Sequence, residues 1–216
     1  MPRKYKAILF DMDGTLVDTD ELIAQTFFYL YDKYRDGNRA SREKIIYFSG
    51  PPIKETLAKE FPHVDQNLIF KEFHDVSWNF YPRCIKSYPG AKETLLALKE
   101  QGYQLGIVTN KIHKTTEYCL QLLDLENIFD VIIGFDDVDR PKPYPDGIYL
   151  AMKRLNQTEK EDVLYIGDNG SDLLTSQNAG IDCGLIAWGP RVLNHSLKPK
   201  YLIKSYCHLK EVLENE

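Results

Sequence analysis

The fold is decided by one stretch near the start of the 216-residue chain, Lys6-Ala-Ile-Leu-Phe10 followed by Asp11-Met-Asp-Gly-Thr-Leu16. A short apolar run that ends in an acid is typical of a strand buried on both faces of a parallel sheet. Ligand sites in open α/β sheets form beyond the carboxyl ends of such strands. The stretch therefore predicts both a parallel sheet and a chemical site at Asp11.

Two carboxylates follow this strand, those of Asp11 and Asp13. Residues two apart can face the same side, so one side chain can act as a nucleophile while the other transfers protons. Gly14 allows a tight turn in which backbone N–H groups approach a phosphate. An acidic turn that caps a helix is the less favoured alternative for this segment by itself, because Asp, Gly and Thr are also common in such turns.

Beyond this stretch, strand-like and helix-like segments alternate through most of the chain. Alternation of this kind predicts an α/β fold, a Rossmann-like doubly wound parallel sheet with helices on both faces. The further predicted strands are Leu105 to Thr109, Asp130 to Gly134, Val163 to Gly167 and Cys183 to Ala187.

One part of the sequence interrupts the alternation. From about Thr19 to Cys84 there is helical periodicity and no convincing apolar strand. The chain is therefore expected to consist of a catalytic core, residues 1–18 plus 87–216, and a small inserted all-helical cap domain, residues 19–86. The predicted cap helices run from about Ile23 to Tyr34, Ile53 to Glu60 and Gln66 to Phe80.

Composition narrows the class of function. The chain is 43% hydrophobic and 27% charged with a net charge of −5, which is ordinary for a soluble globular protein and argues against a nucleic-acid partner. No apolar run approaches the roughly 20 residues of a membrane span. The first strand pattern begins at Tyr5, so we expect no signal peptide. The four cysteines are isolated, so we expect free thiols and a cytoplasmic protein.

Three later segments carry residues suited to phosphate chemistry. Thr109 and Asn110 end one predicted strand and offer a hydroxyl and N–H groups to phosphoryl oxygens. Lys142 stands between two prolines on a rigid loop, where its ammonium suits a phosphate. Asp168 ends another predicted strand and Asp172 follows four residues later at a helix start, an arrangement that suits Mg²⁺. Each segment alone is also typical of a plain turn, cap or solvated loop.

The combination is more specific than its parts. Four carboxylates at neighbouring strand ends would repel one another and raise their pKa values unless cations neutralise them. A divalent cation together with Lys142 supplies that charge, and the same charges stabilise a phosphoryl group in transfer.

The four segments, in this order, resemble the motifs of the haloacid dehalogenase-like superfamily: DxDGT[LV], a strand-end Thr, a loop Lys in KPxP, and GDxxxD. The helical insert after the first motif is similar to the small cap of the phosphoglycolate phosphatase-like branch. Two further segments resemble a bacterial pyrophosphatase group within that branch, Asp18-Thr-Asp-Glu-Leu-Ile23 and Phe129-Asp-Val131 leading into Asp136-Asp-Val138.

The resemblance implies a role for each motif residue. Asp11 would be the nucleophile that forms an aspartyl-phosphate, and Asp13 would protonate the leaving oxygen and then deprotonate water. Mg²⁺ would be bound by the Asp11 side chain, the Asp13 backbone carbonyl and the Asp168 side chain, with Asp172 ordering the waters of the metal. The phosphoryl oxygens would be held by the remaining three residues, Thr109, Asn110 and Lys142.

Several alternatives remain open at this stage. Haloacid dehalogenases proper lack an acid at the Asp13 position, and β-phosphoglucomutases carry a His where Asp20 to Ala24 has none. Dehalogenation is therefore not expected, and mutase activity is disfavoured. The secondary hypotheses are a phosphoglucomutase-like phosphotransferase, a signalling receiver and a non-catalytic metabolite-binding descendant. The leading prediction is a Mg²⁺-dependent phosphohydrolase acting on a small phosphorylated metabolite or pyrophosphate, as a monomer or homodimer.

Overall fold

The computed structural model describes residues 4–49, 52–188 and 198–215. The chain forms two compact units, one made of Met1–Val17 and Ser87–Glu216 and the other of Asp18–Lys86. The strands, in chain order, are β1 Ala7–Phe10, β2 Val17–Asp18, β3 Lys86–Ser87, β4 Gln104–Val108, β5 Val131–Ile133, β6 Val163–Gly167, β7 Asp182–Ile186 and β8 Tyr201–Ile203. The α-helices are α1 Asp20–Tyr34, α2 Arg42–Ile45, α3 Ile53–Glu60, α4 Gln66–Cys84, α5 Ala91–Glu100, α6 His113–Leu122, α7 Asp146–Arg154, α8 Gly170–Ala179 and α9 Tyr206–Glu214.

The first unit is built on a sheet of six described strands in the order β5-β4-β1-β6-β7-β8. Every neighbouring pair in it is parallel. Strand β1 lies inside the sheet, and all four of its residues are buried, as expected for a strand covered by helices on both faces. The order changes direction at β1, because the chain adds β4 and β5 on one side and then β6 on the other. Such a switch point opens a crevice at the carboxyl ends of the strands.

The α/β fold class predicted from the sequence is confirmed. All five predicted strands are present, each with its ends within one residue of the expected positions. Strand β8 and helix α9 were not predicted. Strand β8 has three residues and lies at the sheet edge, where Leu202 is 49% exposed, so it lacks the buried apolar run by which the inner strands are recognised.

The second unit is helical between its two ends. Among the residues described from Thr19 to Cys84, none belongs to a strand. Helix α4 extends four residues further than expected, through Pro82 to Cys84. Its start is capped by Asp65, whose side chain accepts hydrogen bonds from the N–H groups of Asn67 and Leu68 at 3.0 and 2.8 Å.

The core of the helical unit is aromatic. The ring of Phe27, on α1, is fully buried and lies 4.7 Å from that of Phe48, 5.8 Å from that of Phe73 and 6.3 Å from that of Phe61, measured between centroids. Aromatic rings at these separations add to the free energy of area burial. Nearby, the Glu60 carboxylate accepts hydrogen bonds from three side chains, those of Tyr31, Arg35 and Lys44. None of the described helices of the chain is long and apolar enough to cross a lipid bilayer.

Replacing Phe27 with Ala is expected to destabilise the helical unit by about 3–5 kcal/mol, because the ring leaves a cavity among three others. The chain has two tryptophans, and Trp78 lies in α4. Urea unfolding monitored by tryptophan fluorescence in a Trp188→Phe background would therefore report on this unit. Tyr29→Ala on the same helix removes a ring that is 42% exposed and should change the free energy of unfolding by less than about 0.5 kcal/mol. Equal losses in both variants would contradict this description of the core.

Candidate active site

The register of the sheet brings the predicted acids together. Phe10 of β1 is level with Ile107 of β4 and with Ile166 of β6. Asp11 and Asp168 therefore leave adjacent strands at the same edge, and the Asp11 N–H donates to the carbonyl of Ile166 at 2.8 Å. Both residues are buried, with 4% and 3% exposure. The crevice at the switch point is thus lined by carboxylates.

The Lys142 ammonium lies in the middle of this group. Its Nζ is 2.8 Å from Asp11 Oδ1, 2.6 Å from Asp172 Oδ1 and 3.1 Å from the Tyr165 hydroxyl. An ammonium has three hydrogens, so these partners use them all. Burial alone would lower the pKa of Lys142, but the carboxylates of Asp11 and Asp172 outweigh that effect and hold this pKa above its ordinary value. Lys142 therefore remains charged in the interior.

Lys142 is held in place through its backbone by Asn110. The Lys142 N–H donates to Asn110 Oδ1 at 3.0 Å, and Asn110 Nδ2 donates to the Lys142 carbonyl at 3.2 Å. The peptide bond between Lys142 and Pro143 is cis. The sequence assigned Asn110 to the phosphoryl oxygens, whereas in the structure both ends of its side-chain amide hold the lysine loop. Its side-chain amide therefore positions a cation, and the assignment of Asn110 to the phosphoryl oxygens stays a prediction.

Asp172 occupies its position because it also caps a helix. Its Oδ2 accepts the N–H groups of Asp168 at 3.0 Å and of Asn169 at 3.1 Å, and the Asn169 side chain in turn caps α8. Gly167 makes this arrangement possible, since a methyl group there would overlap the carboxyl of Asp172. The four-residue spacing of Asp168 and Asp172 is thus that of a strand end followed by a capping box.

The carboxylate oxygens of Asp11, Asp168 and Asp172 lie within 4.8 Å of one another. Three carboxylates against the single ammonium of Lys142 leave excess negative charge in a buried space, and hard oxygen ligands suit a divalent cation. Asp172 already accepts from Lys142 and from two N–H groups, which occupy most of its lone pairs. Asp168 Oδ1 accepts a hydrogen bond from the Asn169 side-chain amide at 2.9 Å. Three clustered carboxylates with one ammonium among them fit a divalent metal ion.

Asp13 lies apart from that cluster and has its own cation. Lys111 Nζ is 2.7 Å from Asp13 Oδ2 and 2.9 Å from Oδ1. Both side chains are largely buried, with 10% of Lys111 and 21% of Asp13 exposed. Asp13 lies on a tight turn, in which Gly14 has φ +83° and donates its N–H to the Val17 carbonyl at 2.8 Å. The two acids of the first motif thus have separate environments and separate counter-charges.

Sequence reasoning missed two residues of this site. Lys111 directly follows Thr109 and Asn110, so its place after a strand end was a usable signal. Tyr165 lies in the apolar run of β6, where its hydroxyl is buried, 2.8 Å from the Val108 carbonyl and 3.1 Å from Asp172 Oδ1. A tyrosine in a buried strand is usually read as core, and only the folded sheet places its hydroxyl beneath Lys142.

Thr109 is buried at the end of β4. Its N–H donates to the Ile133 carbonyl at 3.0 Å, and its Oγ1 accepts the Lys111 N–H at 3.2 Å. The hydroxyl hydrogen of Thr109 is not used in either bond. The backbone around the second motif is therefore fixed by the neighbouring strand and by its own turn.

Burial raises the pKa of Asp11 to about 7; Lys142 opposes this shift, and the charges of Asp172 and Asp168 add to it. Because the folded pKa exceeds the unfolded one, the metal-free protein should lose stability as the pH rises from about 4 to about 7. In EDTA, the free energy of unfolding of Asp11→Asn minus that of the wild type should therefore increase by about 2–3 kcal/mol when the pH is raised from 5 to 8. Thermal or urea unfolding at both pH values measures this gain, and a constant difference between the two proteins would contradict it.

Comparisons with known proteins show the family of the chain. A family model described as haloacid dehalogenase-like hydrolase matches residues 8–186. The curated pyrophosphatase PpaX of Bacillus cereus (strain B4264) is 32% identical over 217 residues, which cover 98% of this chain and 98% of that protein. These matches confirm the resemblance drawn from the motifs, including the pyrophosphatase group.

Two solved structures share the fold. One is described as a haloacid dehalogenase-like hydrolase from Bacteroides fragilis, with a TM-score of 0.80 and 28% identity over 88% of this chain and 90% of its own. The other is described as a predicted phosphoglycolate phosphatase from Haemophilus somnus 129pt, with a TM-score of 0.84 and 23% identity over 98% of this chain and 99% of its own. The chain therefore belongs to the haloacid dehalogenase-like hydrolases, and it is a phosphatase of that family.

Proposed function

We propose that this phosphatase hydrolyses a small phosphate monoester or pyrophosphate through a phosphoaspartate on Asp11, with Mg²⁺ as its metal. One observation carries the proposal. Asp11 is buried next to a charged lysine, while Asp13, two residues later, is paired separately with Lys111. Two carboxylates in different environments can take different roles, one as nucleophile and one as acid and base.

In the first step, a carboxylate oxygen of Asp11 attacks phosphorus, and the bond from phosphorus to the leaving oxygen breaks. Asp13 gives its proton to that oxygen. Lys142, 2.8 Å from Asp11 Oδ1, supplies positive charge beside the nucleophile, and the free hydroxyl hydrogen of Thr109 suits a phosphoryl oxygen. Asn110 contributes by holding the Lys142 loop through its side chain.

In the second step, Asp13 takes a proton from water, which attacks the phosphoaspartate, releases phosphate and regenerates Asp11. Mg²⁺ would be held by the side chains of Asp11 and Asp168 and by the Asp13 carbonyl, with Asp172 ordering its waters. When bound, it would neutralise charge on the transferring phosphoryl group. We also propose that the helical unit, residues 19–86, serves as a cap that excludes bulk water from the reaction.

The substrate class rests on the relatives. The Bacillus cereus protein that is 32% identical over nearly its whole length is named a pyrophosphatase, which favours pyrophosphate over larger phosphate esters. Each hydrolysis would then release two phosphate ions, one through Asp11 and the other as the leaving group.

Asp11→Asn should reduce phosphate release by at least about 10⁴-fold, because the amide cannot act as the nucleophile. The assay measures multiple turnovers on pyrophosphate, phosphoglycolate and sugar phosphates with Mg²⁺ present. Asp139→Asn makes the same chemical change at an exposed site and should leave turnover unchanged.

The same experiment can test the intermediate. With radiolabelled acetyl phosphate, whose leaving acetate needs no proton, Asp13→Asn should retain label on the protein, since the base that activates water is missing, whereas Asp11→Asn should retain none. Normal turnover by Asp11→Asn would exclude a phosphoaspartate at this position, and absence of turnover by the wild type on every compound would refute the phosphohydrolase proposal for these substrates.

The metal proposal has its own test. Asp168→Asn should raise the Mg²⁺ concentration needed for half-maximal activity by about 10- to 100-fold, because it removes one of two charged ligands. Calorimetric titration of the protein with Mg²⁺ should show a matching loss of affinity. The control is Asp162→Asn, which lies before β6 and pairs with Lys6. An unchanged Mg²⁺ requirement in Asp168→Asn would remove Asp168 from the metal site.

A further inference from the structure

We propose that Lys111 is a specificity-determining residue that favours substrates whose leaving group is itself an anion, such as the second phosphate of pyrophosphate. This inference rests on the proposed function, in which Asp13 protonates the leaving oxygen. It assigns a task to a cation that the four motifs leave unexplained.

The backbone of Lys111 is fixed at both ends. Its N–H donates to Thr109 Oγ1 at 3.2 Å, and its carbonyl accepts the N–H of Phe135 at 2.8 Å. The side chain is 10% exposed and leads to both Asp13 oxygens at 2.7 and 2.9 Å. Lys111 therefore presents its ammonium from a fixed position to the same carboxylate that would contact the leaving oxygen.

Distance limits the alternatives. A proton donor must lie within about 3 Å of the oxygen that it protonates. Because Lys111 Nζ is 2.7 Å from Asp13 Oδ2, it then lies within about 6 Å of the leaving oxygen. In a leaving phosphate, the phosphorus that carries the leaving oxygen also carries further oxygens. The Lys111 ammonium can reach such an oxygen from that distance. An uncharged leaving group has no comparable partner to offer.

Lys142 is poorly placed for the same task. All three hydrogens of its ammonium are engaged by Asp11, Asp172 and Tyr165. The residue is only 5% exposed. Lys142 balances the charge of the nucleophile, while Lys111 balances charge on the side of the proton donor. A leaving phosphate keeps negative charge after its bridging oxygen is protonated, so it gains most from the second cation.

The test compares two substrates that differ in their leaving groups. Lys111→Met keeps an unbranched side chain, shorter by one atom, and removes its charge. It should lower kcat/KM for pyrophosphate about 10- to 100-fold more than kcat/KM for phenyl phosphate, because charge-assisted hydrogen bonds account for discrimination of that size. A loss of kcat/KM common to both substrates measures the effect of the pairing of Lys111 with Asp13. The ratio of the two kcat/KM values measures the effect of Lys111 on the leaving group. Lys111→Arg keeps the charge and should restore most of the ratio.

Lys114→Met is the matched control, since Lys114 is exposed in the first turn of α6 and should leave both substrates unaffected. Binding of the non-hydrolysable imidodiphosphate gives a readout without turnover: calorimetry should show a loss of at least about 10-fold in Lys111→Met, against less than about threefold for inorganic phosphate. Equal losses on both substrates and on both ligands would overturn the proposal, as would no loss. If the wild type hydrolyses neither substrate, the proposed function fails, and the imidodiphosphate measurement still decides the role of Lys111.

Discussion

The charge on Lys142 is the constraint on which the rest of the site depends. Buried carboxylates are costly unless each has a hydrogen bond or a counter-ion, and removing one partner of a buried ion pair generally costs about 3–5 kcal/mol. Lys142 contacts Asp11 and Asp172 at once, while Asn110 fixes its backbone. The sheet, the lysine loop and the start of α8 are thus joined through one ammonium group. If any of the three shifted, a buried charge would lose its partner.

This arrangement leaves Asp11 incompletely compensated. Its pKa is raised to about 7 because burial and two neighbouring acids together outweigh the lysine. A fold selected for stability alone would not place a third carboxylate there, and polar networks that are only partly satisfied are usually found where a ligand completes them. The uncompensated charge is therefore a physical argument for a cation at this site. The separate pairing of Asp13 with Lys111 keeps the second acid of the motif out of the same conflict.

Much of this architecture could be predicted from the sequence. Strands β1, β4 and β6 are apolar runs that are each followed by an acid or a threonine, so both their positions and the edge where the site forms follow from residue order. The helical insert was visible as a long interruption of that alternation. Strand β8 was not predicted because an exposed three-residue edge strand has no periodic pattern. Helix α9, which follows it, was not predicted either. Lys111 and Tyr165 were missed because a lysine in a loop and a tyrosine in a strand have ordinary explanations until their partners are known.

The sequence by itself determined the α/β class, the positions of the inner strands and the residue types gathered at their ends. These follow from local periodicity and from the rule that neighbouring parallel strands share an edge. The tertiary structure decided which polar atoms meet. It directed the Asn110 amide to the Lys142 backbone, filled the lone pairs of Asp172 with N–H groups and gave Asp13 a lysine of its own. A hydrogen bond forms only if donor and acceptor are placed to within a few tenths of an ångström. For partners far apart in the chain, that placement is reached only once the strands have paired and the loops between them have packed.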